Sequence, residues 1–209
     1  RRGYLHSVEP ERAVDFIESH GIGRRLFNDV LFGGYLIWRR YPEHRVFIDG
    51  RNEVYDPLLA EIFDAVNSGE KWKALLDRHG IDAALLRRGQ MQKVLYPPAS
   101  PGGAVLSEWR AFSAAHFPAG EWALVYWDDQ ALLLARRDDP AALPLLAGEY
   151  RFHPDDLPHT LPPLARGDRE RGAVLEEINR KLVEEPGCLS AQRLRARFEG
   201  DPPAPETSP

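Results

Sequence analysis

Two apolar runs, WALVYW (122–127) and ALLLA (131–135), stand either side of Asp128-Asp129-Gln130 and constrain this chain more than any other feature. The acidic break between them is turn chemistry, so the pair reads as a β-hairpin. Runs this continuous, with no polar residue at alternate positions, belong to strands covered on both faces by helices. Neither run approaches the roughly 18–20 apolar residues needed to span a bilayer.

Upstream, helical and strand patterns alternate. Ser7 with Glu9-Pro10-Glu11 marks a helix start, Ala13, Phe16 and Ile17 give it an apolar face, and Gly21 stops it. RLFND (25–29) predicts a short strand, and YLIWRRY (35–41) one or two helical turns closed by Pro42. RVFID (45–49), β-branched and aromatic, predicts a better strand that ends at Gly50. PLLAEIFDAVNSG (57–69) and EKWKALLDRHG (70–80) are helical, DAALLRR (82–88) is a buried strand, and SEWRAFSAAHF (107–117) is an amphipathic helix. Strands separated by helices and closed by the hairpin predict a three-layer, Rossmann-like α/β domain over residues 1–139, with a mixed, mostly parallel sheet.

The texture changes near residue 140. Residues 140–168 are proline-rich without a sustained period and predict ordered coil over the domain. Residues 169–199 predict a C-terminal helical hairpin around Pro186-Gly187, and 200–209 have the composition of a disordered tail. A helical hairpin is the unit of repeat arrays, but the sequence holds no second copy.

The net charge of −5 argues against binding nucleic-acid phosphates, so no nucleic-acid partner is expected. Cys188 is the only cysteine, which excludes an intrachain disulfide and a thiolate metal cluster. RRGYLHSVEP carries no apolar run behind its arginines, so it is not read as a signal peptide. An opening on Arg-Arg without methionine reads as an excised fragment.

Gly33-Gly34, within LFGGYLIWRR (31–40), invites a phosphate-cradle reading. The glycine fingerprint after a strand is incomplete, however, and no lysine or serine follows to reach a phosphate. The alternative is close backbone packing, with Tyr35, Leu36 and Trp38 in the core and Tyr35 toward the neighbouring polar edge. That edge is the more chemical feature. Asn28 and Asp29 end one predicted strand and Asp49 and Arg51 another, and strand C-termini are where open α/β sheets bind ligands. With Tyr35 and Tyr55 they form the candidate site; its other reading is a structural ion pair, Asp49–Arg51 or Asp29–Arg51. An aspartyl nucleophile at Asp49 would want a second acid where Arg51 stands. The doublets Asp128-Asp129, Asp138-Asp139 and Asp155-Asp156 lie at turns without calcium-loop spacing. His153, Asp155, Asp156 and His159 are expected to face solvent rather than hold a metal, and the remaining histidines lie mostly near helix ends. No catalytic residue, cofactor or metal ligand is assigned.

Taken end to end, FNDVLFGGYLIWRRYPEHRVFIDGRNEVYD (27–56), the Trp72–Leu86 stretch and the closing Trp122–Arg137 stretch resemble one known arrangement. It is the soluble C-terminal, extracytoplasmic domain of bacterial polytopic membrane proteins related to type C, dolichyl-phosphate-mannose-type glycosyltransferases. The resemblance covers roughly residues 8–139 in order. A more distant similarity is to the soluble domain of the oligosaccharyltransferase catalytic subunit, whose acceptor-contacting motif would fall on Phe32-Gly33-Gly34-Tyr35. That motif's tryptophan pair and aspartate are missing here, so its peptide recognition does not carry over.

The resemblance implies a periplasmic domain of an integral membrane protein, not catalytic alone. It would pack on its own transmembrane domain, absent from this chain, and contribute to binding a glycan or peptide acceptor. The alternative is a protein-interaction module, an α/β scaffold carrying the start of a helical repeat array; a free-standing nucleotide-binding or sugar-phosphate-binding enzyme fits least.

Overall fold

The computed structural model describes residues 9–96, 104–164 and 168–199. The chain divides after Asp156 into two units. The first opens with helix α1 (Glu11–His20), entered from Pro10 and ended by Gly21 at φ 63°, a left-handed cap suited to glycine. Ser7 and the tail 200–209 lie outside the described residues. Next come strand β1 (Leu26–Asn28), a 3-10 turn (Val30–Phe32), helix α2 (Gly33–Arg40), a second 3-10 turn (Asn52–Tyr55) and helices α3 (Asp56–Ala65) and α4 (Gly69–Arg78). Then follow β2 (Ala83–Arg87), β3 (Met91–Tyr96), β4 (Leu106–Ala111), α5 (Phe112–His116), β5 (Trp122–Trp127), β6 (Ala131–Arg136) and α6 (Leu143–Leu146).

The sheet has the order β1-β2-β6-β5 and is mixed. Only β1 and β2 run parallel, whereas β2–β6 and β5–β6 are antiparallel, so the expected parallel majority gives way to antiparallel pairing. The hairpin forms as its sequence demands. Asp128 caps its turn by accepting from the Gln130 and Ala131 N–H groups at 2.7 and 2.8 Å.

Period-2 alternation sorts the strands onto two faces. Leu85, Ala123, Leu133 and Ala135 meet Ala13, Val14 and Ile17 of α1 and Leu36 of α2. A register shift between Leu124 and Tyr126 puts Val125 and Tyr126 together on that side. The opposite face carries an aromatic cluster: Trp72 of α4 makes edge contacts with Phe27, Phe112 and Phe117, and Phe117 with Trp122. Helices therefore cover both faces, as buried strands require.

Three expectations fail for one reason: tertiary partners outweigh local pattern. Residues 107–111, expected to be helical, pair as β4 with β3, and only Phe112–His116 keeps the helix. RVFID is not a strand. The Asn28 carboxamide replaces its ladder, accepting from the Phe47 N–H at 2.9 Å and donating to the Ile48 carbonyl at 2.7 Å. The expected coil of 140–168 contains α6 and α7 (Leu157–Leu164), and Tyr150 bridges to Leu124 of β5.

Gly33 explains how that irregular segment fits. A Cβ there would lie 2.5 Å from both the Asp49 Cβ and the Ile48 carbonyl oxygen, whereas one on Gly34 meets nothing within 4 Å. Only the first glycine of the pair is sterically required. Leu36 is buried as expected, but Trp38 is 74% exposed, not in the core.

The second unit comprises α7, α8 (Asp168–Glu184) and α9 (Leu189–Glu199). Arg171 donates to the Phe198 carbonyl, joining the start of α8 to the end of α9 as a helical hairpin. Lys181 pairs with Glu185 at 2.9 Å.

The two glycines should separate in experiment. Gly33→Ala is expected to destabilise by roughly 2–4 kcal/mol. Gly34→Ala should be neutral or stabilising by up to about 1 kcal/mol, since it removes a helical glycine without a clash. Urea unfolding of both variants checks the pair.

Candidate functional site

The C-terminal ends of β1 and β2 lie side by side, and the polar edge forms there. Asn28, 1% exposed, spends its carboxamide on the backbone: besides Phe47 and Ile48 it donates to the Asp29 carbonyl at 2.8 Å. Asp29 caps the following 3-10 turn, accepting from the Leu31 N–H at 2.8 Å, and takes the Gln90 side chain at 2.6 Å. Arg87 lies 3.7 Å from the same carboxylate. The Asp29–Arg51 pairing considered from sequence does not occur; Arg51 goes to Asp49.

Asp49 is the most heavily bonded acid of this edge. Arg51 grips both its oxygens, at 2.9 and 2.5 Å, and adds its backbone N–H at 2.9 Å. The Tyr55 hydroxyl donates to Oδ2 at 2.9 Å. The Arg51 side-chain bonds, reinforced by that N–H and by Tyr55, hold the Asp49 carboxyl well below the usual carboxylate range. Tyr55 moves the other way: partial burial, then the neighbouring carboxylate, raises its phenol. A buried carboxylate saturated in this way is neither a nucleophile nor a base, and it acts as a clasp between the end of RVFID and the next turn.

Tyr35 does not join this edge. It lies two residues beyond Gly33, about 200° around the helix, and packs with the α1 core while accepting a bond from Arg39 at 3.4 Å. Arg39 in turn bridges to Asp15 and Glu18 of α1 at 2.8 and 2.7 Å. Of the six candidates, the structure brings together Asp49, Arg51 and Tyr55, places Asn28 and Asp29 beside them as structural groups, and turns Tyr35 away. Sequence reasoning missed Gln90 and Arg87; the signal was available in DAALLRRGQ, whose strand ends where a parallel neighbour of β1 must end.

The acidic doublet at 155–156 is buried rather than solvent-facing. Asp155 receives Arg88 at 2.5 Å and the Gly89 N–H at 2.8 Å, while Asp156 receives Arg110 at 2.6 Å and the Ala111 N–H at 3.3 Å. Arg88 also donates to the Asp128 carbonyl at 2.5 Å and lies over Trp127, so one guanidinium ties the hairpin turn to this loop. His116 ends α5, but its ring is walled by Trp72 and Phe112 at 4.5 and 4.4 Å, and neither nitrogen has a partner. Burial pushes its pKa down to about 4, outweighing the welcome a helix C-terminus gives to positive charge.

Fold and edge together define an α/β protein with a mixed sheet in which Asp49, Asp155 and Asp156 are each neutralised by an arginine of the same chain. Compared with known proteins, the chain matches no family model, no curated protein and no solved structure. No helix among the described residues is long and apolar enough to cross a membrane.

His116 and Asp49 give separable acid responses. His116 has a folded pKa below its unfolded value, so the unfolded state takes up the proton first. Its share of stability is present above pH 6.5 and is lost between 6.5 and about 4, amounting to roughly 3 kcal/mol at most. His116→Phe should flatten urea-midpoint profiles in that window. Asp49, also depressed, contributes above the ordinary aspartate range of about 4 and loses its share below it. Asp49→Asn should lower stability at pH 7, with the difference from wild type closing only below pH 4.

Proposed function

We propose that the chain is the soluble, non-catalytic domain of a multi-pass bacterial membrane protein of the type C glycosyltransferase kind, lying on the extracytoplasmic side. Its role is to pack on the membrane portion and shape the edge at which an acceptor approaches. The resemblance of residues 27–56 to that family motivates the reading, and the outer face of the same segment is the observation that carries it. Leu31 in the turn before α2, Trp38 on α2 and Tyr41 directly after it are 61%, 74% and 66% exposed, and Gly34 of the same helix is open. Exposed Trp and Tyr are the aromatic residues enriched at a membrane–water interface.

A second apolar surface supports the same role. On the β3–β4 ribbon, Met91, Lys93 and Leu95 share a face with Trp109 by register, and its three apolar members are all exposed. The saturated Asp49–Arg51 clasp fits a domain that assists chemistry carried elsewhere.

A second reading, a protein-interaction module, draws on the second unit, where Val183 and Leu189 are exposed at the α8–α9 turn. Fractionation of native cells with an antibody to this domain separates the two. The membrane reading predicts the full-length product in the membrane pellet, resistant to carbonate wash, and cleaved within the domain by protease added outside spheroplasts. Recovery in the soluble fraction, or protection until lysis, contradicts it. Trp38→Ser should leave stability within about 0.5 kcal/mol while reducing the full-length protein's transfer to its acceptor.

A further inference from the structure

Arg40 closes α2 and is 6% exposed. Its two terminal nitrogens both reach the Gly23 carbonyl, each at 3.3 Å, and its Nε has no hydrogen-bond partner. A guanidinium has five donors, and a buried one is ordinarily met by a carboxylate. Its neighbour Arg39 has two. Glu18 and Asp82 are near enough to favour the Arg40 charge, but neither bonds it, and burial lowers its pKa. The carbonyl ends of α1 and α2 converge here and help to hold the cation, without giving it a planar two-oxygen partner.

Arg40 lines a hollow of about 290 Å³ whose wall also carries Arg24, Arg39 and His44, with Glu18 and Glu43 as its acids. Glu18 is already neutralised by Arg39 at 2.7 Å. Arg24 is mostly exposed, its side chain 71% accessible, and it pairs with Asp139 at 3.9 Å, a long contact that it exchanges for an incoming group. The space accommodates one small polar group, at the lower end of ligand-site volumes.

The geometry points to an oxyanion site in this hollow: a phosphate or carboxylate group docks two oxygens on the Arg40 guanidinium, and Arg24 closes over it. Guanidinium and oxyanion match as a two-point fork, with charge-assisted bonds where the buried arginine now has a single carbonyl. Glu43 limits the charge the site tolerates, so monoanionic and dianionic groups are favoured over polyphosphates. The inference is independent of the membrane reading, since it rests on residues 17–44 of the first unit alone.

Thermal unfolding of the 209-residue chain at pH 7.5, with inorganic phosphate or acetate titrated against chloride at constant ionic strength, tests it. The expected result is a saturable rise in Tm, about 5 °C at a hundredfold excess over Kd, with one of the two anions. A response to phosphate alone assigns a phosphate group, and a response to acetate alone assigns a carboxylate. Arg40→Met should abolish the rise, and Arg24→Ala should weaken apparent affinity at least threefold while leaving the unliganded Tm unchanged. Absence of a rise above chloride with either anion overturns the site, as does a full response in Arg40→Met. If that variant does not fold, unchanged affinity in Arg24→Ala overturns it.

Discussion

At the end of β1 the Asn28 carboxamide takes the Phe47 N–H and donates to the Ile48 carbonyl, and the position of the segment after α2, residues 47–49, follows from that exchange. A side chain here supplies what a neighbouring strand would otherwise supply, in a place where no strand forms. The bonds work because the backbone of 48–49 comes up against α2 where Gly33 has no side chain. Without Asn28 the segment loses its hydrogen-bond partners, and without Gly33 it loses the space it occupies. Buried amides left without partners cost on the order of 1–3 kcal/mol each, so the arrangement is strongly specified.

The electrostatics of the first unit obey one rule with one exception. Buried acids are met by arginines and backbone N–H groups: Asp49 by Arg51, Asp155 by Arg88, Asp156 by Arg110. The Arg88–Asp155 and Arg110–Asp156 pairs join segments distant in sequence, whereas Arg51 closes a local turn on Asp49; Asp49 and Asp156 each accept a forked guanidinium. Arg40 breaks the rule from the cationic side, being buried with only a carbonyl to meet it. That asymmetry distinguishes a clasp from a site: a saturated pair leaves nothing for a ligand, while an under-partnered guanidinium beside a hollow does.

Much of the architecture was legible because its signals are local. The buried hairpin, the stop at Gly21, the strand at Leu26–Asn28 and the α2 helix all follow from pattern and turn chemistry. What escaped was set by partners far along the chain. RVFID has strand composition, yet its neighbour is an amide side chain about twenty residues earlier. SEWRA has helical spacing, yet β3 claims it. Trp38 was expected in the core because aromatic residues usually bury, but the 100° step per residue that buries Leu36 and Arg40 turns Trp38 outward. For the candidate edge, Asn28, Asp29, Asp49 and Arg51 were grouped on the premise of two neighbouring strand ends, whereas the Asn28 carboxamide, not a second strand, brings the 47–49 segment to β1. Chain order could not show that Asp49 would be saturated, nor that Tyr35 would face α1.

The proposed membrane-facing role and the internal clasp meet in LFGGYLIWRR: its inner face is fixed by Gly33, Leu36 and Arg40, while Leu31, Trp38 and Tyr41 are exposed. The central claim is that Asn28 holds the 47–48 backbone as firmly as a sheet holds a strand. Native-state hydrogen exchange at the Phe47 amide tests this most directly. The account predicts exchange as slow as the β1–β2 ladder amides, through global unfolding only. Exchange at the rate of an exposed loop, with the ladder still protected, would contradict it.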